Sequence, residues 1–341
     1  MKLIDNRTAF LLLLGQAASD SRGEMLFGDS LDRVKKTVPD FLGNGPFPDI
    51  YLEFPLSGEP YLDISLTAIF DDNSETAYIT SPLAGDTDMM MEYIRSSSLK
   101  YPDISGGFEI DTSSSAPTAA TVHFQPRSHT ELAGGFCEAI GEEQYGQLYE
   151  EMAGRLKDSW RPSYIGLFRG RSGYPLRVGG YLIQDEIKRC IADPERIIRT
   201  FETAGFKAFD DQMIDQIVSV MSVTSTHNEF QFDVFPDGTI GDVFSLSTNF
   251  AIETPDKTLT ALKESDGAKY FDLLKKWNIA DSRIEKVEGI IFAKELPVGN
   301  MSITFSVFPQ WFKVRWNAGK LQPAKGYVLI KAGEYEHAPQ N

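Results

Sequence analysis

The stretch 301–341 holds the pattern that most limits what this chain can fold into. Trp311-Phe-Lys-Val-Arg-Trp316, then Asn317-Ala-Gly319, then Pro323-Ala-Lys-Gly-Tyr-Val-Leu-Ile-Lys331 alternate polar and apolar side chains with a period of two. Successive side chains of a strand point to opposite faces, so Lys313 and Arg315 share one face while Phe312, Val314 and Trp316 share the other. In the second run Lys325, Tyr327 and Lys331 lie opposite Val328 and Ile330, and Asn317-Ala-Gly319 supplies turn chemistry between the runs. The pattern predicts a hairpin with one apolar face and one face of four cations and a tyrosine.

Charge sets this hairpin apart from the rest of the chain. The 341 residues carry 33 Lys and Arg against 49 Asp and Glu, a net charge of −16. Residues 301–341 hold five basic and two acidic side chains, a local +3, which leaves −19 for the remainder. An acidic body argues against nucleic acid, because neutralising phosphate supplies most of that affinity. A hydrophobic content of 42% and a charged content of 24% are ordinary globular values, and the length suffices for one large domain or two modest ones.

Cys137 and Cys190 have no metal or redox spacing and are expected as buried, small apolar residues. The run Ala9-Phe-Leu-Leu-Leu-Leu14 follows Asp5 and lacks the basic flank and cleavage pattern of a secretory signal. No run approaches the length of a membrane span, so a cytoplasmic protein is expected, with no membrane partner.

Taken in order, helices are expected over 5–18, 28–42 and 86–99, the last containing Met89 to Met91 as core filling. Strand patterns fall at Asp49–Pro55 and Tyr61–Phe70. Residues 103–126 turn to Ser, Thr, Ala, Gly and Pro, which marks a long loop or a boundary, with Val122–Phe124 as a short strand inside it. A glycine-rich helix is expected from 130 to about 160, closed by Pro162. Hairpins follow at 164–182 and 229–250, the second turning at Pro236-Asp-Gly238. Between them lie helices, one capped at Asp193-Pro194 and one at 210–222. Two further helices over 256–277 precede the terminal hairpin.

This order predicts an α+β fold of antiparallel β-hairpins alternating with helices, the sheet covered on one side. A possible internal duplication is suggested by Phe54-Pro-Leu-Ser-Gly and Phe235-Pro-Asp-Gly, each followed by a similar strand. An N-terminal unit over 1–126 and a C-terminal unit over 127–341 are expected.

Catalytic signatures are missing from the sequence. There is no phosphate-binding Gly-x-x-x-x-Gly-Lys-Ser/Thr loop, no Gly-x-Gly-x-x-Gly after a strand and no Gly-x-Ser-x-Gly elbow. His123 and His129 flank Pro126 without one-turn ligand spacing and are expected as surface or loop-capping residues. His227 is expected at a helix end and His337 in a frayed tail. No catalytic residue, metal site or cofactor is assigned. If the hairpins share a sheet, Arg177 and Tyr181 face the same side as Lys313, Arg315, Lys325, Tyr327 and Lys331, and the Arg169-Gly-Arg171 turn lies nearby. Such a groove suits an anion, a diphosphate or a peptide carboxylate.

The motifs Tyr164-Ile-Gly-Leu-Phe-Arg169, Pro175-Leu-Arg-Val178, Asp233-Val-Phe-Pro-Asp-Gly-Thr-Ile-Gly-Asp242 and Phe312-Lys-Val-Arg-Trp316 resemble a bacterial family. Its genes often sit beside those for ribosomally made, modified peptides (RiPPs). The resemblance implies a peptide-binding accessory role, similar to that of crocagin-type peptide-binding proteins, and carries no site residue with it. A second resemblance is to aromatic prenyltransferases of the barrel type, built from α-β-β-α repeats. It implies an isoprenoid diphosphate clamped by lysines and shielded by tyrosines, as in Lys325-Gly-Tyr327, with Glu53 or Asp233 as the carboxylate near an aromatic acceptor. That barrel requires about ten strands, and the patterns above supply eight or nine.

The expectation is therefore a non-catalytic protein of natural product biosynthesis that binds a precursor peptide and presents it to modifying enzymes. It would act as a homodimer or as a heterodimer with a related subunit. The alternative is an aromatic prenyltransferase.

Overall fold

The structure, a computed structural model, describes residues 4–43, 45–68, 70, 79, 87–112, 121–168, 173–224, 228–250, 255–298 and 301–333. Asp5, in extended conformation, accepts a hydrogen bond from the Thr8 amide and so starts α1 (Asn6–Ala17), which buries Phe10, Leu13 and Leu14. Next come α2 (Ser30–Thr37), β1 (Asp49–Pro55), β2 (Asp63–Thr67), α3 (Thr87–Lys100), β3 (Ser105–Ile110) and β4 (Thr121–Gln125). The long helix expected from 130 is two helices, α4 (Leu132–Ala139) and α5 (Glu143–Leu156). Gly141 lies between them at φ +71°, a conformation that ends a helix and suits a residue without a side chain.

The chain continues through β5 (Trp160–Leu167), β6 (Leu176–Leu182), α6 (Gln184–Ala192), α7 (Glu195–Ala204), α8 (Asp211–Val223), β7 (Asn228–Val234) and β8 (Ile240–Asn249). Pro162, expected to close a helix, sits inside β5 at a register shift, where a residue without an N–H is tolerated. Last come α9 (Pro255–Lys263), α10 (Ser265–Lys276), α11 (Arg283–Val287), β9 (Phe292–Val298), β10 (Met301–Asn317), β11 (Lys320–Leu321) and β12 (Lys325–Ala332). The turn after β10 uses left-handed backbone at Ala318 and Gly319.

The strand pairs do not stand as separate hairpins alternating with helices beneath a one-sided sheet. They join edge to edge: β12 pairs β1, pairing then runs in chain order from β1 to β8, and β8 returns to β10, which pairs β12. Among the described residues this ring is a closed antiparallel barrel of ten strands. Closure rests on the length of β10, which pairs β12 along one edge and, along the other, β9 with its first half and β8 with its second. A closed ring leaves no barrel strand with an unpaired edge. The missing strand is β3, which lies in the Ser- and Gly-rich stretch read as a loop. The boundary expected near residue 126 falls between β4 and β5, which pair with each other.

The apolar faces of the strands point outward and are covered by helices. Phe312, Val314 and Trp316 are fully buried. Trp316 Nε1 donates to Gln216 Oε1 of α8 at 2.8 Å, and Phe201 of α7 packs edge-on to Phe244 of β8. Met90 and Met91 are buried and Met89 is exposed; both cysteines are buried and free. Among the described residues no helix is long and apolar enough to cross a membrane.

Candidate functional site

With the apolar alternate residues facing the helices, the polar alternate residues of every strand are turned into the barrel. They line a cavity of about 220 Å³. Six of the seven binding residues expected from sequence meet there: Arg177 and Tyr181 from β6, Lys313 and Arg315 from β10, Lys325 and Tyr327 from β12. Lys331 is exposed near the end of β12 and does not line the cavity. The Arg169-Gly-Arg171 turn, His227 and His337 lie outside the described residues.

Most of these cations already hold partners. Lys325 is ion-paired to Glu53 across β12 and β1, the two side chains 14% and 19% exposed, and it lies 5.3 Å from the ring centre of Tyr61. Burial alone would lower the Lys325 pKa, but Glu53 outweighs it and holds the ammonium above the ordinary lysine value. Burial likewise opposes ionisation of Glu53, yet Lys325 and Lys313 pull its pKa down to about 2. Arg177 makes a two-pronged pair with Asp233, at 2.8 and 3.1 Å, and lies over Phe168.

Lys313 differs from these two. Its Nζ donates to the neutral Gln231 Oε1 at 3.0 Å and lies 4.9 Å from the Tyr327 ring centre. Burial brings its pKa down to about 8; the charge of Glu53 opposes this, and Arg177 and Lys325 reinforce it. Arg315 Nε, beside it on the strand, has no hydrogen-bond partner among the described residues.

Carboxylates missed by the sequence reading also line the cavity. Glu229 accepts from Ser163 Oγ (3.0 Å) and Gln231 Nε2 (2.7 Å), and burial raises its pKa. Glu109 accepts from Tyr164 Oη at 2.5 Å. The Tyr164 ring folds back over Gly166, whose missing side chain leaves the room the hydroxyl occupies. Asp63 stands opposite Glu53 on β2. Burial, and then the charge of Glu53, raises its pKa to about 7. Five carboxylates and five cations line the cavity in all, so its formal charge is balanced. Glu229-Phe-Gln-Phe-Asp233 carries the same polar alternation as Lys313-Val-Arg315, and that signal could have placed Glu229 and Gln231 inside.

His123, expected at the surface or capping a loop, is on β4 and 1% exposed, lining the cavity. His129 instead stacks on Tyr101 at 3.9 Å, near Asp103 and Glu131. Among the described residues no group of three or more His, Cys, Asp or Glu is arranged to hold a metal ion.

Chemically, the lumen offers ammonium and guanidinium donors on the β10–β12 wall, aromatic faces beside them and hydrogen-bonded carboxylates and a histidine across from them. No family model matches the sequence, and no curated protein matches it. The fold is similar to those of solved prenyltransferases. NotF prenyltransferase gives a TM-score of 0.53 at 9% identity, covering 97% of this chain and 96% of that one. PriB in its apo form gives 0.53 at 9%, covering 96% of each. The 5-dimethylallyltryptophan synthase from Streptomyces coelicolor gives 0.51 at 9%, covering 97% and 98%. At such identity the likeness is one of fold.

Proposed function

We propose that the barrel transfers an isoprenyl group from an isoprenoid diphosphate to an aromatic acceptor bound in the same lumen. The observation that carries this reading is the convergence of Lys313, Arg315 and Lys325 with Tyr327 inside a closed ten-stranded barrel. Among the described residues neither Lys313 nor Arg315 is ion-paired to a carboxylate, although the charge of Glu53 acts on Lys313, so they are the donors most open to a diphosphate; Arg is suited to bind it through two N–H groups. In the transfer, the donor's C–O bond breaks with its electron pair leaving on the diphosphate. The π electrons of the acceptor form the new C–C bond, and the proton on that carbon is lost. Tyr327 and Trp311 supply aromatic faces in the lumen that stabilise a carbocation. Glu53, one of the two carboxylates anticipated near the acceptor, is held ionised by Lys325 and can accept an acceptor N–H or O–H; Asp233, the other, is paired with Arg177.

The neighbours' names supply the first probes. One is a 5-dimethylallyltryptophan synthase, solved in another structure with DMASPP and Trp. Dimethylallyl diphosphate should stabilise the protein thermally by mass action, and with tryptophan or indole it should yield an acceptor heavier by one isoprene unit in mass spectrometry. Absence of both effects across short isoprenoid diphosphates would reject the reading.

The pairing of Lys325 with Glu53 and of Arg177 with Asp233 favours a second reading, that of a binding barrel in which part of the cationic wall is held by the chain's own carboxylates. It would hold a precursor peptide for the modifying enzymes of a RiPP pathway. Stabilisation by a precursor peptide encoded beside the gene, with indifference to diphosphates, would favour it.

A further inference from the structure

Of the buried side-chain polar atoms without a hydrogen-bond partner among the described residues, four belong to residues lining the lumen: His123 Nδ1, Ser247 Oγ, Gln310 Oε1 and Arg315 Nε. Buried polar groups are normally satisfied, so an orphan in a cavity wall marks where a ligand's partner belongs. Ser247, Gln310 and Arg315 sit on the adjacent strands β8 and β10, on the wall already assigned to the diphosphate. His123 lies apart from them, on β4.

The surroundings of His123 favour proton transfer over anion binding. Its Nε2 lies 3.4 Å from Thr67 Oγ1. With the hydrogen on Nε2 directed at that oxygen, Nδ1 presents a bare lone pair. The ring stacks on Tyr164, 6.1 Å between centres and 18° between planes. On both neighbouring strands the residue opposite His123 is a glycine, Gly107 and Gly166. The charged or titratable groups around it are Glu109 from β3 and Tyr164 from β5, with the Arg177–Asp233 pair next in the same row of strands. Burial lowers the pKa of His123 and Glu109 only partly opposes this, so the ring is neutral at neutral pH.

Four of the five carboxylates that line the lumen are engaged by named partners. Glu53 holds Lys325, Glu109 holds the Tyr164 hydroxyl, and Glu229 holds Ser163 and Gln231. Asp63 Oδ1 accepts from the Thr112 amide at 2.8 Å.

We infer that His123 is the proton acceptor of the lumen, its Nδ1 removing the proton from the aromatic carbon after the new C–C bond has formed. The inference rests on the transfer reading above. The C–H electron pair returns to the ring and restores aromaticity, and the imidazolium passes its proton to water as product and diphosphate leave. Thr67 acts as a positioning residue by holding the tautomer.

The test uses the full chain with dimethylallyl diphosphate and indole as probes. Expected for His123→Ala is a fall in kcat of at least about 100-fold with donor KM unchanged, the size of a lost general base. The acid limb of the kcat–pH profile should disappear, and added imidazole should restore part of the rate. Should His123→Ala melt at a lower temperature than wild type, His123→Gln, which keeps an amide toward Thr67, is read in its place. A variant with wild-type kcat and an unchanged acid limb overturns the inference and leaves the transfer reading standing. A wild-type protein that makes no prenylated product overturns the transfer reading, and the inference falls with it.

Discussion

The two walls of the lumen are built on opposite principles. The wall formed by β10, β12 and β1 holds full charges, Lys325 against Glu53 with Lys313 and Arg315 alongside. The β3–β5 wall holds the buried His123 and a carboxylate, Glu109, that accepts from the Tyr164 hydroxyl, with glycines opposite the imidazole. A wall of charges can bind and stabilise an anion as it departs. A wall built on a histidine and a hydrogen-bonded carboxylate, with no cation facing the lumen from its strands, can take up a proton without attracting that anion. Separating the two keeps the leaving diphosphate from neutralising the base, and this division is what the mutations below can break or sharpen.

The largest stability effect should come from the charged wall. Lys325→Met leaves Glu53 ionised in the barrel without its counter-ion and should cost about 3 kcal/mol in denaturant unfolding. Pairing it with Glu53→Gln should recover most of that loss. Acid should reproduce the effect in part. The folded Glu53 keeps its charge down to about pH 2, whereas an unfolded glutamate takes up its proton near pH 4.5. The stabilisation from the pair is therefore present above pH 4.5 and lost as pH falls toward 2.

Asp63 has the opposite sign. In the fold it keeps its proton up to about pH 7, while in the unfolded chain it loses it near 3.8. Its ionisation thus costs stability increasingly as pH rises from about 4 to 7. Asp63→Asn should raise the stability by roughly 2 kcal/mol at pH 8 and change little at pH 4; an equal change at both would refute the buried-acid description.

The smallest effect belongs to the β3–β5 wall. Tyr164→Phe removes one hydrogen bond to Glu109 and should cost about 1.5 kcal/mol, with little change in diphosphate affinity. A loss of diphosphate affinity in this variant as large as that in Lys313→Met would mean that the walls are not separate in function.

The same contrast explains what could be read from sequence. On β10 and β12 the inward residues are long cations and a tyrosine, and the outward ones are Phe312, Val314, Trp316, Val328 and Ile330. The period of two is unmistakable there, and six of the seven predicted site residues lie where alternation put them. Lys331 obeys the alternation too, but the strand has by then passed beyond the cavity. On the other wall, Ser105-Gly-Gly-Phe-Glu-Ile and Thr121-Val-His-Phe-Gln are short and begin among Ser, Thr and Gly. Only Val122–Phe124 was legible there, as a short strand inside a stretch read as loop, and β3 takes its conformation from pairing with β2 and β4 rather than from local preference, so the inward placing of His123 and Glu109 stayed hidden. Ring closure between β8 and β10 joins segments far apart in the chain and has no local signature.

The central claim, that the charged wall is a donor site, is tested most directly by calorimetric titration of dimethylallyl diphosphate into wild type and into Lys313→Met/Arg315→Gln. The account predicts saturable binding to the wild type that weakens as pH rises through about 8, where Lys313 loses its proton, and no measurable binding to the variant. Equal binding by the two proteins, or none by the wild type, would contradict it.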